Sequence, residues 1–425
     1  MTAPAGLPRL LRGAVSGRAL SLAEHVTQHG PTPRVDDPER LIELVAAAGL
    51  RGCGGAAFPT AVKLDAVRRS RRRAVVVANG AEGEPASGKD RQLLESTPHL
   101  VLDGAVLAAQ AVGADTAIVC LPVRARRARA SVEAALAERD AAERPEADLA
   151  VEVVPDRYLA GEETALVNHL NGGGVRPTLV PPRPAERGVA RRPTLVDNVE
   201  TLAHLALLAR HGPAWFRSVG TDEEPGSRLL TVSGAVRAPG VVEATARTGL
   251  PDLLDAAGGP ATPIGALLVG GYFGSWVPGD AVPALTLEAA SLRRAGATLG
   301  SGAIVALPAG SCGLVETARV VGYLADESAG QCGPCVHGLA AIADALHRLA
   351  SGPGDGHEPA RLARWCEQVR GRGACHHPDG AVRLVASALR VFAAEIELHV
   401  GGRCSATVAH PVLPVPAPAP QARAA

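Results

Sequence analysis

The chain has few aromatic residues. They make up 2% of 425 positions, as 4 Phe, 3 Trp and 3 Tyr. A core of this size must therefore be built from Leu, Val and Ala. There is one methionine, and only two lysines, Lys63 and Lys89, so arginine carries almost all the positive charge. The 43 basic and 43 acidic residues cancel, which argues against nucleic acid as the main partner. No apolar run reaches the ~20 residues of a membrane span. The first twenty residues lack the continuous apolar stretch of a secretion signal. These absences together lead us to expect a cytoplasmic protein. In that compartment the 8 cysteines are poor candidates for structural disulfides, and clustered ones suit metal or redox chemistry better.

Two neighbouring segments hold what the rest of the chain lacks. Gly49 to Lys63 reads GLRGCGGAAFPTAVK, with Gly52, Gly54 and Gly55 just ahead of Phe58 and a helix-compatible run. Glycines let the backbone approach a ligand closely, and free amides at a helix start attract phosphate. Asn79 to Arg91 reads NGAEGEPASGKDR and follows a buried-strand pattern over 74–77, placing Asn79, Glu82 and Glu84 at its end. Open α/β sheets bind ligands at that end of a parallel strand. Each of the two lysines lies in one of these segments, which suggests that a compact ammonium is wanted there. The spacing is not GxGxxG, and an ordinary strand–helix turn is the alternative.

A chain of this length should form two to three domains. Residues 1–45 read as a helical lead-in, with Asp36-Asp37-Pro38 opening a helix. Residues 46–225 alternate strand and helix: strands at 74–77, 116–120 and 151–154, helices over 98–112 and 125–139. Such alternation predicts a parallel sheet with crossover helices. The Pro/Gly/Arg-rich stretch 172–193 is too long for a passive connection and is expected to wrap over a site. Residues 226–310 read as a small β-grasp-like domain. Helices are expected over 336–349, 360–369 and 381–399, forming a bundle within 326–405. The Pro/Ala-rich tail, 406–425, is expected to be disordered.

Cys332 and Cys335 form a CxxC in ESAGQCGPCVHG, and Cys375 follows in GRGACHHPDGA. CGPC is also the thioredoxin-type dithiol motif, but no βαβ unit precedes it here. An iron–sulfur cluster, a dithiol and a zinc site all remain open on this pattern. Cys53, Cys120 and Cys312 look incidental.

Five motifs in one order resemble the NADH- and flavin-binding F subunit of bacterial respiratory complex I, a module also found in soluble hydrogenases and formate dehydrogenases. They are GLRGCGGAAFPT, NGAEGEPASGKDR, YLAGEETAL (158–166), RPTLVDNVETL (192–202) and ESAGQCGPCVHG. The resemblance covers about residues 45–400. It implies a Rossmann-like α/β domain holding FMN, a β-grasp (SLBB-type) domain, and a helical bundle with a [4Fe-4S] cluster. It further implies NAD(H) or NADP(H) as substrate and a ferredoxin-like or [2Fe-2S] partner subunit, with a membrane redox complex reached through partners.

By the same resemblance Gly52, Gly54, Gly55, Phe58, Lys63 and Asn79 approach the flavin. Gly161, Asp197, Asn198 and Thr201 belong to the same cofactor site. Glu82, Glu84, Glu162 and Glu163 line the nucleotide side, Glu84 and Glu163 as the catalytic candidates, and Cys332, Cys335 and Cys375 bind iron. Several positions depart from the pattern. Cys53 replaces Arg in the flavin loop, Ala81 an Asp, and Asp197 an Asn. Ala66 and Arg183 stand where the family's two nucleotide-stacking aromatics fall, and Ala329 stands for the first cluster cysteine. Reduced NADH binding and a three-cysteine cluster with an exchangeable fourth ligand are therefore expected. Cys366 and Cys404 are the spare thiols. A straight helix over 381–399 would carry Cys404 roughly 25–30 Å from Cys375. The alternative is a relative without NADH activity that serves docking or electron transfer alone.

Overall fold

The computed structural model describes residues 6–14, 17–70, 72–142, 147–353, 356–408 and 410–416. The chain divides into two compact units: residues 1–83, 87–230 and 241–248, and residues 84–86, 231–240 and 249–425.

The first unit opens with helices α1 (Leu22–His29) and α2 (Pro38–Ala48). Asp37 caps α2, accepting from the amides of Glu39 and Arg40, and Pro38 fills the first turn, where its missing N–H costs nothing. Helix α3 (Thr60–Arg68), β1 (Ala74–Asn79), α4 (Lys89–Ser96), α5 (Pro98–Val112), β2 (Ala114–Pro122), α6 (Arg126–Ala141) and β3 (Asp148–Val154) follow. Helix α7 (Glu163–Leu170), β4 (Thr194–Asn198) and α8 (Val199–Phe216) come next in this unit. The sheet runs β3-β2-β1-β4, with every pair parallel. Val75, Val76 and Val77 are buried on both faces of β1, as the continuous apolar run required. Helix α5 is buried almost throughout. It crosses α8 so closely that a Cβ on Gly104 would sit 1.9 Å from the Leu202 carbonyl oxygen, so only glycine fits.

Strands β5 (Ser227–Gly234) and β6 (Gly240–Thr245) come next, and α9 (Leu250–Ala256), β7 (Ile264–Val269), β8 (Ser275–Pro278), α10 (Ala289–Arg294) and β9 (Ala303–Pro308) follow. Their sheet has the order β6-β5-β9-β7-β8, with β5 parallel to β9 and β7 antiparallel to both neighbours. Helices α11 (Gly313–Asp326), α12 (Ala340–Ser351), α13 (Glu358–Val369), α14 (His377–Val391) and α15 (Ala393–Val400) form the C-terminal bundle.

Four details differ from the expectations. Helix α11 starts the bundle earlier than expected, its amphipathic face burying Leu314, Val320, Val321 and Leu324. The helix expected from 336 begins instead as a π-turn over Pro334–Leu339. The single helix expected over 381–399 breaks at Phe392, whose ring packs edge-on against Trp276. The tail is held through residue 416: Leu413 is buried, and Glu316 accepts from the amides of Val412 and Leu413. Residues 417–425 lie outside the described residues.

Candidate functional site

The carboxyl ends of β1 and β4 meet at Asn79 and Asn198, which are register partners. Asn79 turns the chain off its strand: its Oδ1 accepts from Ala81 N at 3.2 Å and its Nδ2 donates to Gly161 O at 2.9 Å. Asn198 caps α8 through Glu200 N at 3.0 Å and donates to Asp90 at 2.7 Å. Beneath them Lys89 Nζ lies 2.7 Å from both Asp90 and Glu200, all three side chains at most 5% exposed. Burial opposes the Lys89 charge, but the two carboxylates outweigh it and hold its pKa above the usual range. Glu200 also accepts from Leu229 N at 2.8 Å. This lysine is therefore a structural ion pair beneath the sheet end.

The other lysine faces the site. Lys63, on α3, donates to Val196 O at 2.7 Å and lies 3.5 Å from Glu163 and 3.9 Å from Asp197. Asp197 is 4% exposed, and its Oδ2 is buried without a hydrogen-bond partner among the described residues. Burial pushes its pKa up to about 6, with Lys63 opposing and Glu163 assisting. A buried carboxylate oxygen without a partner is costly unless a ligand completes it.

The glycine loop packs against the start of α8. Gly52 N donates to Phe58 O at 2.9 Å and Thr60 N to Leu50 O at 3.0 Å, pinching residues 52–58 into a turn. Cys53 N donates to Thr201 Oγ1 at 2.9 Å, so Thr201 ties the loop to α8. Gly55 has φ 110°, a backbone that a side chain would strain. A Cβ on Gly54 would meet only Asn198 Cβ, at 3.6 Å. The amides of Gly54 and Gly55 donate to no described residue. Phe58 leaves 47% of its surface exposed, an unusual display in a chain so short of aromatics. Cys53 is buried, and burial, reinforced by Glu200, pushes its thiol up to about 12, which makes it inert.

The expected glutamates divide. Glu163 begins α7 beside Lys63. Glu162 caps that helix, accepting from Ala165 N at 2.8 Å and Thr164 Oγ1 at 2.7 Å. Glu82 takes a positive φ of 36° and caps α4, accepting from the amides of Asp90 and Arg91 at 3.0 Å each. Glu84 belongs to the second unit and clamps backbone, accepting from Ala86 N at 3.2 Å and Tyr272 N at 2.7 Å. The structure thus joins Lys63, Glu163 and Asp197 in one cluster and Asn79, Gly161 and Asn198 in another. The supporting Asp90 and Glu200 were missed by sequence reasoning. Their signal was present, since a buried lysine demands carboxylates and both lie in quoted motifs.

In the second unit Cys332 precedes the π-turn and Cys335 lies within it, with Cys335 N donating to Cys332 O at 3.1 Å. Burial pushes the Cys335 thiol up to about 12. A hydrogen bond from Ser328 opposes this, and both Cys332 and Cys375 lie close enough to reinforce it. Cys332 and Cys375 are partly exposed, and Cys335, which both influence, is buried. Cys366 is buried in α13.

Three family models match in sequence: a Nuo51 FMN-binding domain over residues 45–207, an SLBB domain over 229–268, and an NADH-ubiquinone oxidoreductase-F iron-sulfur binding region over 316–399. The F 2 subunit of the NADH-quinone oxidoreductase of Rhizobium meliloti (strain 1021) is 33% identical over 383 residues, covering 86% of this chain and 90% of that protein. The F subunit of the Streptomyces coelicolor enzyme is also 33% identical, over 384 residues, covering 86% and 84%. Among solved structures, an NAD+-reducing [NiFe]-hydrogenase in the H2-reduced state superposes with a TM-score of 0.79 at 31% identity. That match covers 87% of this chain and 63% of the hydrogenase chain, less than two thirds of its length.

Proposed function

The chain belongs to the family of NADH-quinone oxidoreductase F subunits, and on that premise we propose that it passes electrons from a nicotinamide nucleotide to an iron–sulfur partner subunit through FMN and a cluster of its own. The observation that carries the flavin assignment is the buried, partnerless Asp197 oxygen. It stands one residue from Asn198, which backs the open face of Gly54.

Bound FMN supplies the conversion between a two-electron hydride and single electrons. The chain's own groups provide the rest. The Gly54 and Gly55 amides, just ahead of α3, suit an anionic group. The Phe58 ring offers a stacking face for a planar ring. Lys63, anchored on Val196 O, holds a positive charge beside Glu163 and Asp197. Asp197 holds a proton at its buried carboxylate below about pH 6 and accepts a hydrogen bond above it. Glu163, 35% exposed at the start of α7, is assigned to the nucleotide side. Glu84 is better read as a positioning residue.

Cys332, Cys335 and Cys375 hold the cluster in this reading, and Ala329 leaves one corner to a ligand other than the family's cysteine. Cys404 is drawn elsewhere, beside Cys312 and His399. The nucleotide side is reduced: Ala66 and Arg183 are both exposed. Arg183 could stack on adenine or pair with a 2′-phosphate. A second reading, favoured by these losses, is a subunit that receives electrons from a protein donor. No helix among the described residues is long and apolar enough to cross a membrane, and a cytoplasmic setting within a multi-subunit redox complex is part of the proposal. Anaerobic reconstitution tests it. We expect stoichiometric FMN, iron and sulfide, and reduction by NADH or NADPH. A colourless protein with no flavin would end both readings, and a flavoprotein reduced by neither nucleotide would leave the second.

A further inference from the structure

Outside the cluster motif, four chemically matched side chains converge. Cys312, Glu395, His399 and Cys404 each place one ligand atom so that all four lie within 4.8 Å of one another. Sequence reasoning set Cys312 aside as incidental and left Cys404 a spare thiol. The break between α14 and α15 at Phe392 brings them together, because α15 no longer continues the line of α14. Beyond α15 the chain turns at Gly402, with φ 72°, and returns Cys404 to the helix it has just left.

The hydrogen-bond geometry aims the donor atoms of these residues at one point. His399 Nδ1 lies 3.1 Å from the Leu349 carbonyl oxygen, which can only accept, so Nδ1 carries the proton. In the neutral imidazole His399 Nε2 then directs a lone pair toward Glu395 Oε1, 3.2 Å away, and Cys312 Sγ, 3.4 Å away. A metal ion seated between this lone pair, the carboxylate and the sulfur would turn the close approach into ligation. A tetrahedral zinc with ordinary bond lengths would separate its N and O ligands by about 3.3 Å and its S and N ligands by about 3.5 Å. Both observed spacings agree.

The surroundings are those of a ligand set held in place. The Nδ1–H···O=C bond orients the imidazole, as the outer partner of a metal-bound histidine does. Ser405 donates to Glu395 from its amide at 3.0 Å and also from its hydroxyl. Cys312 caps α11 and accepts from Val315 N at 3.4 Å, which fixes its sulfur at the helix start. Four protein ligands leave no open position, which marks a structural rather than a catalytic site.

We propose that Cys312, Glu395, His399 and Cys404 form a structural site for one zinc-class divalent cation, distinct from the iron–sulfur cysteines. Binding would release the two thiol protons to solvent, with no change of oxidation state. Its effect would be to fasten the chain beyond α15 to the start of α11. The segment that follows already lies along α11 through Glu316 and the amides of Val412 and Leu413.

The test uses the full chain, purified anaerobically, equilibrated with buffered Zn2+ and analysed for zinc and iron together. About one zinc per chain is expected, retained when Cys332, Cys335 and Cys375 are all changed to Ala. Cys404 is exposed, so Cys404→Ser should fold normally yet bind zinc at least about a hundredfold more weakly, and Ser405→Ala about tenfold more weakly. Co2+ in place of zinc should show tetrahedral ligand-field bands and a thiolate-to-cobalt band that Cys404→Ser weakens. Zinc absent from the wild-type protein, or lost only with the cluster cysteines, would overturn the proposal. So would a Cys312–Cys404 disulfide, found by mass spectrometry, in the anaerobic protein.

Discussion

Replacing Asp197 by Asn probes the sheet-end site through its energetics. Asp197 is 4% exposed and its pKa is raised from 3.8 to about 6, by burial first. Because the folded state holds this proton more tightly than the unfolded chain, the sign is set. The contribution to stability is fully present below the unfolded value near 3.8 and is lost as pH rises through about 6. The shift is about two pH units, at about 1.4 kcal/mol each, so keeping this carboxylate ionised costs about 3 kcal/mol above pH 7. Asparagine has the same shape and no charge to desolvate. The flavin-free Asp197→Asn protein should therefore be about 3 kcal/mol more stable than the parent at pH 8. At about 2–4 °C per kcal/mol for a domain of about 200 residues, this is a rise of about 6–12 °C in Tm. The advantage should shrink to nothing near pH 4. Thermal unfolding of both proteins from pH 4 to pH 8 measures it. A variant destabilised at pH 8, or a difference in Tm that does not depend on pH, would refute the reasoning that a carboxylate whose burial outweighs its Lys63 partner occupies this site.

Three further outcomes follow. Gly54→Val should release FMN while the fold persists, because the protein itself leaves room for a side chain there; flavin retained at full stoichiometry, by absorbance after gel filtration, would remove this loop from the cradle. Lys89→Met should cost about 3–5 kcal/mol in a denaturant titration, since Asp90 and Glu200 would be buried without their counter-ion. Asp103 is buried against His25 at 2.7 Å, Arg139 at 2.9 Å and Arg210. Burial opposes its charge, but these partners overcome it and hold the carboxyl far below its usual range. The stability it lends is present above its unfolded pKa near 3.8 and is lost as pH falls below that, so Asp103→Asn should destabilise the protein at pH 7 and flatten the acid limb of its stability curve.

Much of this protein was written in local pattern. The apolar run 74–77 could only be a strand buried on both faces, and the strand–helix alternation around it required parallel pairing, which the sheet β3-β2-β1-β4 has. The Asp37-Pro38 start and helix α5 were equally legible, because caps and 3.6-residue periodicity act within a few residues. The glycine loop and the three cysteines stood out by spacing as candidates, while their chemistry was implied by the family resemblance.

Tertiary structure decided the rest, because it rests on contacts between residues far apart in sequence. Which lysine serves the site and which the core depended on where Asp90 and Glu200 came to lie. Whether Glu84 met a ligand or a backbone amide depended on Tyr272, 188 positions later. The break at Phe392 arises where an aromatic ring seats against Trp276, a packing event invisible to helix periodicity. That break delivers Cys404 to Cys312 across almost the whole C-terminal bundle. Local sequence sets which elements form, through short-range propensity and burial pattern. Only the folded chain sets which side chains share a site, because that is fixed by how those elements pack.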